Sequence, residues 1–332
     1  MSKALMSVAM QNISDIVRVT IVDDNSSTDY SDLINTFNKL LDIQYIKLQN
    51  NQGVGHARQV GFESTTCPYV TYLDADDAFY NEYSLALLYE KILKTKCDFV
   101  SGNFIREYNS ESTESCLPSQ PKLSKVPGRN QTWVFSRLFS RDYLVSHNIY
   151  FSDMRYNEDV SYMQLCLCQS KSHEYINNTV YVQHCNMDSL TRSDNEFHKN
   201  AKGLINFIEA LSYSHMRKRE LNLIETEKSK EQVADGLAVG YWYFIQCYNE
   251  ESTESCEKYL EAFQKFYNMV TDDYSGIIQS DLLKHSYFVS LNSMVELSNK
   301  YIPTIGFYEL MNDLETNKHK VNDVSSYGYE LG

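Results

Sequence analysis

The sequence of 332 residues predicts an α/β fold followed by a mostly α-helical domain, and three observations support this prediction. Apolar, β-branched runs alternate with segments of helical period as far as about residue 184. Two of these runs end in paired or clustered aspartates. Beyond about residue 197, segments of helical period follow one another without intervening strands. We therefore expect an α/β domain over residues 1–200 and a helical domain over residues 201–332.

The α/β domain is expected to contain a mixed, mainly parallel sheet flanked by helices. Strand, helix and strand in that order imply right-handed crossovers between parallel strands. The first apolar run is expected to be a strand because its residues are β-branched and it stops at an acidic pair. The first six elements are expected as a helix at 3–13, a strand at 16–22, a helix at 26–41, a strand at 43–48, a loop and helix at 50–66, and a strand at 69–73.

The second half of the α/β domain is predicted to be less regular. A polar, turn-rich excursion at 108–128 interrupts it. The remaining elements are expected as a helix at 82–95, a strand at 97–105, a helix at 131–148, a helix that Asn157 caps, and a strand at 175–184. The helical domain is predicted from apolar positions at helical spacing, as in "GLINFIEALSY" and "ADGLAVGYWYFIQCY".

The composition argues against several classes of protein. With 44 acidic and 30 basic residues, the formal net charge is −14, which disfavours a broad nucleic-acid-binding surface. The eight cysteines are scattered and form no C-x-x-C pair, so neither a zinc site nor a disulfide framework is indicated.

The expected location is the cytoplasm. The N-terminal "MSKALMSVAM" lacks the long apolar core of a secretion signal. No window approaches the ~20 apolar residues that a membrane span needs. The densest basic patch, residues 215–221, is either a solvated helix end or a peripheral contact with anionic lipid at the inner face of the membrane. The aromatic residues of the helical domain are either core residues, an acceptor platform or a surface for homo-oligomer formation.

Carboxylates cluster where two of the expected strands end. Asp23 and Asp24 follow the first strand, and Asp74, Asp76 and Asp77 follow the third. Because the carboxyl ends of parallel strands meet at one edge of a sheet, both groups are expected to face one crevice. The spacing of Asp74 and Asp76 suits oxygen ligation of Mg²⁺ or Mn²⁺, which also bind substrate phosphates. The alternatives are a solvated acidic turn at Asp74 and an Asx turn at Asp23.

The order of these motifs resembles glycosyltransferase family 2, whose members are inverting enzymes of the GT-A fold that use nucleotide sugars. The resemblance covers about residues 1–195 and is carried by "VTIVDDNSSTD", "NNQGVGHARQVGFE", "YVTYLDADD", "FSRLFSRDYL", "RYNEDVSY" and "YVQHCNMDSLTRS". Family members usually open with one further strand, of the type "VSVIIPTYN", before the first helix. This sequence begins inside that helix, so we expect either unpaired edges on neighbouring strands or another segment in that position.

The resemblance implies roles for particular residues. The implied residues are Asp159 and Glu158 for catalysis, Asp76, Asp74 and His184 for the metal, and Asp23, Asp24, Arg58, Asp74 and Arg192 for the donor. Taken without the resemblance, Glu158 and Asp159 are also typical of acids that complement a helix dipole. Arg137 stands where members often have Lys, and it either lines the acceptor side or forms a salt bridge on a surface helix.

These roles imply a metal-dependent inverting glycosyltransferase. Mn²⁺ or Mg²⁺ would stabilise the charge that develops on a departing nucleoside diphosphate. Asp159 would take the proton of the attacking acceptor hydroxyl. The expected donor is a UDP-sugar, and the expected acceptor is a glycan or a lipid-linked hydroxyl in surface polysaccharide synthesis. The alternative is a protein of the GT-A fold that is impaired in catalysis and acts as a binding or assembly partner.

Overall fold

The computed structural model describes residues 1–108, 112–116, 132–154, 156–185, 201–250, 253–287 and 306–318. The chain divides into two compact units, Met1–Asp194 and Asn195–Gly332. The described part of the first unit contains strands and helices, and the described part of the second contains helices.

The first unit begins with a two-stranded parallel sheet. Its strands are β1 (Arg18–Asp23) and β2 (Asp42–Lys47), and Asp23 lies opposite Lys47 in the register. The accompanying helices are α1 (Ser2–Ala9), α2 (Ser31–Phe37) and α3 (Val54–Glu63). The acidic end of β1 therefore lies beside the loop that leads from β2 into α3.

The helix expected at 26–41 is shorter, because hydrogen-bonded turns occupy its first residues. The Ser26 backbone N–H donates to Asp23 over 2.7 Å, and the Ser31 backbone N–H donates to Asp29 over 2.9 Å. Short side-chain oxygens compete with helical bonding in this way at helix starts. The helix consequently begins at Ser31.

A six-stranded mixed sheet forms the larger part of the unit. Its strands are β3 (Tyr69–Val70), β4 (Ala78–Phe79), β5 (Phe99–Tyr108), β6 (Ser112–Cys116), β7 (Arg137–Ser140) and β8 (His173–His184). The order is β3-β7-β5-β8-β4, and β6 pairs with β5. β5 and β8 run parallel, whereas the other pairings in this sheet are antiparallel. The flanking helices are α4 (Ser84–Thr95), α5 (Arg141–Ser146) and α6 (Glu158–Gln169).

The prediction of one helix over 131–148 was wrong, because residues 137–140 form β7 and only 141–146 are helical. Phe139 lies opposite Phe99 of β5, and their ring centroids are 5.6 Å apart. Pairing with a buried central strand therefore outweighs the local helical pattern. The third expected strand is also shorter, since β3 ends at Val70.

The strands that precede the two acidic groups lie in different sheets. Among the described residues, β1 pairs with β2 and β3 pairs with β7. Helix α1 and the turn that follows it join the two regions. The Phe79 N–H donates to Ser7 of α1 over 3.1 Å, and the side chain of Gln11, just beyond α1, donates to the Asn81 carbonyl over 2.8 Å. The apolar face of α1 belongs to a cluster of buried residues, which are Leu5, Val8, Phe37, Leu41, Phe79 and Leu85. The expectation that both acidic groups lie at one edge of a single sheet was therefore wrong. Helix α1 and this cluster connect the two sheets.

The second unit packs long helices around an aromatic core. The helices are α7 (Ala201–Glu220), α8 (Glu227–Glu250), α9 (Thr253–Asp273) and α10 (Phe307–Asn317). Gly240 lets α8 and α9 approach closely, since a methyl group added there would lie 2.3 Å from the Phe263 ring. The Tyr259 hydroxyl also donates to the Gly240 carbonyl over 2.7 Å.

The basic patch at 215–221 is not simply a solvated helix end. His215 and Lys218 are buried, and His215 Nε2 lies 2.6 Å from Asp273 of α9. Arg219 donates to the same carboxylate over 2.5 Å. Part of this patch therefore serves helix packing. No helix in the described part of the chain is both long enough and apolar enough to cross a membrane.

Candidate active site

Arg58 joins two acidic motifs that lie 84 positions apart, as counted from Asp74 to Glu158. It lies one turn into α3 and donates through Nη2 to Asp74 Oδ1 over 2.6 Å. Its Nη1 forms an ion pair with Glu158, the first residue of α6. The Arg58 and Glu158 side chains are only 13% and 8% exposed. The end of the third expected strand and the start of α6 therefore meet at one partly buried guanidinium.

The charges at this junction depend on one another. Burial alone would lower the pKa of Arg58, but Asp74 and Glu158 outweigh it and raise that pKa. Burial raises the pKa of Glu158, and the charge of Arg58 opposes that rise. Because Glu158 holds the guanidinium directly, we assign the ionised carboxylate to Glu158.

Asp159 carries the other carboxyl group at the start of α6. Burial, together with repulsion from Glu158, raises the pKa of Asp159 to about 8. The residue as a whole is nevertheless only partly buried. A carboxyl group with a pKa near the working pH can accept a proton from a substrate hydroxyl. Asp159 therefore has the proton affinity that a general base needs.

The three aspartates of the loop, Asp74, Asp76 and Asp77, differ in their surroundings. Asp74 binds Arg58, as described above. Asp77 is buried and accepts hydrogen bonds from the Tyr181 hydroxyl over 2.6 Å and from the His184 backbone N–H over 2.8 Å. Burial, with repulsion from Asp74, raises the pKa of Asp77 to about 7. Asp76 is exposed, and among the described residues no hydrogen bond or ion pair holds its carboxylate.

Two of the predicted metal ligands lie on adjoining segments. His184 ends β8, and its backbone N–H binds Asp77, one residue from Asp76. The ring Nδ1 of His184 lies 2.5 Å from Glu107 Oε2 of β5. The other ring nitrogen, Nε2, takes no part in this contact. Among the described residues, no three His, Cys, Asp or Glu side chains already form a metal cage. An exposed carboxylate and an imidazole nitrogen are nevertheless donors that suit Mn²⁺.

Asp23 and Asp24 hold the neighbouring backbone. Asp23 accepts hydrogen bonds from the Ser26 N–H and the Tyr45 hydroxyl, each over 2.7 Å. Burial alone would raise the pKa of Asp23, but these hydrogen bonds outweigh it and lower that pKa. Asp24 accepts the backbone N–H groups of Gln52 and Gly53 over 2.8 and 2.7 Å. Asp23 therefore orders the turn that follows β1, and Asp24 positions the loop at the start of α3. Donor contact by either carboxylate stays a prediction.

Arg192 lies outside the described residues, as do the other positions of the predicted loop at 189–192. Arg137 is buried in β7 and donates through Nε to the Ser101 hydroxyl over 2.9 Å. The alternative of a surface helix salt bridge at Arg137 was therefore wrong. Burial lowers the pKa of Arg137 to about 10.

Three features of the site were not predicted from the sequence. They are the anchoring of Asp77, the hydroxyl of Tyr181 and the contact of Glu107 with His184. The Tyr181 hydroxyl also accepts a hydrogen bond from the Asp74 backbone N–H over 3.3 Å. Asp77, the third aspartate of the loop, was the one sign of these contacts in the sequence, because a buried carboxylate requires hydrogen-bond donors.

The close approach of α3 to α6 depends on Gly55. Gly55→Ala is expected to lower the free energy of unfolding by about 1–3 kcal/mol. The added methyl group would lie 2.5 Å from the Ser152 carbonyl oxygen and 3.1 Å from Glu158 Cβ. Gly61→Ala, in the same helix, is the matched control, because its methyl group would lie 3.4 Å from Val22 and Ala favours helices. Urea denaturation compares the two, and equal stability would contradict this account.

Known proteins and a family model match the first part of the chain. A family model described as Glycosyl transferase family 2 matches residues 1–151. Glycosyltransferase GlyA of Streptococcus pneumoniae serotype 4 is 31% identical over 110 residues, which cover 33% of this chain and 15% of GlyA. EpsH of Bacillus subtilis (strain 168), also named as a glycosyltransferase, is 22% identical over 196 residues, which cover 54% of this chain and 55% of EpsH. The chain thus spans at most about half of these relatives.

Solved structures resemble the fold over most of the chain. Residues 1–349 of S. aureus TarS match with a TM-score of 0.66 and 16% identity over 90% of this chain and 87% of that chain. The same segment in complex with UDP-GlcNAc matches with a TM-score of 0.63 and 15% identity over the same shares. This likeness shows the GT-A fold, so the predicted GT-A fold is confirmed. The expectation of a mainly parallel sheet was wrong, because most pairings between the described strands are antiparallel. The match to glycosyltransferase family 2 thus covers residues 1–151, and the likeness in fold extends over most of the chain.

Proposed function

We propose that this protein is a metal-dependent inverting glycosyltransferase that moves a sugar from a UDP-sugar to a hydroxyl of a glycan or a lipid-linked acceptor. The observation that carries the proposal is the pairing of Arg58 with both Asp74 and Glu158. This pairing brings the acidic loop of the domain next to the carboxyl pair at the start of α6. Metal-binding and base functions thus have candidate residues at one site.

The residues that would hold the metal are Asp76 and His184, together with Asp74, two positions before Asp76 in the same loop. Asp76 is exposed, and His184 is tied to the same loop through Asp77. Mn²⁺ and Mg²⁺ commonly combine one or two protein ligands with water and substrate phosphates, so this donor set fits either ion. When bound, the ion would neutralise charge on the leaving nucleoside diphosphate.

Asp159 is the residue that we propose as general base. Its raised pKa makes it a competent acceptor for the proton of the attacking hydroxyl. Glu158 takes a different part, because its carboxylate is committed to Arg58. We assign Glu158 to positioning: it holds Arg58, and Arg58 holds Asp74. In a single inverting displacement, a base acts on the face opposite the leaving group.

The nucleotide is proposed to be a uridine diphosphate. TarS, whose fold this chain resembles, has been solved in complex with UDP and with UDP-GlcNAc. The loop after β1 is ordered by Asp23 and Asp24, so its backbone is preorganised before a ligand arrives. Preorganisation reduces the entropy that binding must overcome.

The impaired binding partner remains a second candidate, and one observation favours it. Among the described residues, β1 and β3 each pair with one strand and lie in different sheets. A site divided in this way would bind nucleotide less tightly if the two sheets moved apart. Donor turnover by the purified chain separates the candidates, since the impaired protein would release no UDP.

UDP with Mn²⁺ is expected to raise the melting temperature of the protein. At a ligand concentration of 100 times Kd, the stabilisation would be about 2.7 kcal/mol. Asp76→Ala is expected to abolish this shift, because it removes the exposed carboxylate of the acidic loop. Asp15→Ala is the matched control, since Asp15 is also exposed but lies in the turn before β1. Thermal unfolding with and without Mn²⁺ measures the effect, and an unchanged shift in Asp76→Ala would refute the metal assignment.

A further inference from the structure

We propose that Glu107 is a positioning residue that fixes the ring of His184 so that Nε2 is presented to the metal ion. The inference rests on the proposed function and adds to it a residue that is not itself a metal ligand. It concerns the tautomer and orientation of one imidazole. Carboxylates that hold metal-binding histidines in this manner typically change metal affinity by about 10- to 100-fold when removed.

The backbone already places the two residues side by side. Glu107 and His184 are register partners in the parallel pairing of β5 with β8. The Cys185 N–H donates to the Glu107 carbonyl over 2.9 Å and continues that pairing by one residue. The position of the Glu107 carboxylate relative to the imidazole is therefore set by a central strand pair of the sheet.

The side-chain contact determines which ring nitrogen carries the proton. Glu107 Oε2 lies 2.5 Å from His184 Nδ1. An ionised carboxylate accepts hydrogen bonds and cannot donate them, so Nδ1 must be the donor. In the neutral imidazole, Nε2 then keeps the lone pair that a metal ion requires.

A second contact connects the backbone of His184 to the acidic loop. The His184 backbone N–H donates to Asp77 Oδ1 over 2.8 Å, and the other oxygen of Asp77 accepts the Tyr181 hydroxyl. The His184 side chain is only 17% exposed, so its ring has little freedom to turn. Asp77 thus fixes the backbone of His184, while Glu107 fixes its ring.

The contrasting account is that Glu107 and His184 form an ordinary ion pair that only stabilises the sheet. Glu174 provides the matched control for it. Glu174 lies near the opposite end of β8 and pairs with Lys91 over 2.9 Å. Its side chain is 38% exposed, compared with 39% for Glu107. Glu174→Ala should therefore reproduce the loss of a half-exposed ion pair without affecting His184.

The first experiment reads the tautomer in the metal-free full chain. Long-range ¹H–¹⁵N spectra of ¹⁵N-histidine-labelled protein distinguish a protonated Nδ1 from a protonated Nε2. We expect protonated Nδ1 at His184 in the wild type and in Glu174→Ala. We expect loss of that signature in Glu107→Ala and its retention in Glu107→Gln, which keeps a carbonyl oxygen as acceptor. His184→Ala assigns the resonance.

The second experiment measures Mn²⁺ binding in the presence of UDP by the disappearance of the free Mn²⁺ EPR signal. Glu107→Ala is expected to weaken binding about 10- to 100-fold, with a smaller loss in Glu107→Gln and none in Glu174→Ala. An unchanged tautomer or an unchanged Mn²⁺ affinity in folded Glu107→Ala would overturn the inference alone. A wild type that binds no Mn²⁺ with UDP would overturn the proposed function as well.

Discussion

Asp159→Asn is expected to lower the rate of sugar transfer by about 10²- to 10⁴-fold, which is the usual contribution of a positioned general base. The amide has nearly the shape of the carboxylate but cannot accept the proton of the attacking hydroxyl. In the wild type, only ionised Asp159 can act. Burial and the charge of Glu158 raise the pKa of Asp159 to about 8 in the metal-free protein, and a bound divalent cation would lower that pKa. The rate should therefore increase with pH up to a midpoint at or below about 8 and then level off.

Release of UDP from UDP-sugars, followed by a coupled assay across pH, measures both effects. Asp153→Asn is the matched control, because Asp153 lies just before α6 and its side chain is 90% exposed. It should keep the wild-type rate and pH profile. UDP binding should persist in Asp159→Asn, which shows that the site is folded. A rate within twofold of the wild type would remove Asp159 from the mechanism.

Arg58→Met is expected to lower the free energy of unfolding by about 3–5 kcal/mol, as removal of one partner from a buried ion pair does. Methionine keeps much of the apolar stem but leaves Glu158, which is 8% exposed, without a counter-ion. Asp74 loses its partner in the same substitution. The cost therefore arises mainly from uncompensated buried charge.

Urea denaturation provides the measurement, and two further variants test the cause. Arg18→Met removes the ion pair between Arg18 and Asp42, whose side chains are 50% and 62% exposed, and should leave the free energy of unfolding almost unchanged. Arg58→Met combined with Glu158→Gln removes the stranded charge and should regain part of the loss. If Arg58→Met cost no more than Arg18→Met, the buried pairing of Arg58 would be wrong.

The sequence was sufficient to predict the acidic loop and the carboxyl pair of α6, because both are local patterns. Aspartates after an apolar strand and acids at a helix start can be recognised within ten residues. The start of α6 follows from the same kind of pattern, because Asn157 was expected to cap that helix. The GT-A fold followed from the order of six such motifs, and it is confirmed.

Contacts between distant segments could not be predicted in this way. The Arg58 ion pair with Glu158 spans 100 positions, and the Glu107 contact with His184 spans 77. No local pattern specifies them, because strand pairing and helix packing create them. β7 illustrates the same limit: its residues have a helical local pattern, but pairing with β5 decides their conformation.

The crowding of Asp74, Glu158 and Asp159 around one guanidinium has a consequence for how the resting protein is charged. Below pH 8, Asp159 mostly retains its proton, because burial and two neighbouring negative charges disfavour ionisation. A divalent cation held by Asp76 and Asp74 would supply positive charge and so lower the proton affinity of Asp159. Metal binding would therefore release a proton from Asp159 to solvent and leave this carboxylate ionised, as a base must be, when the substrate binds.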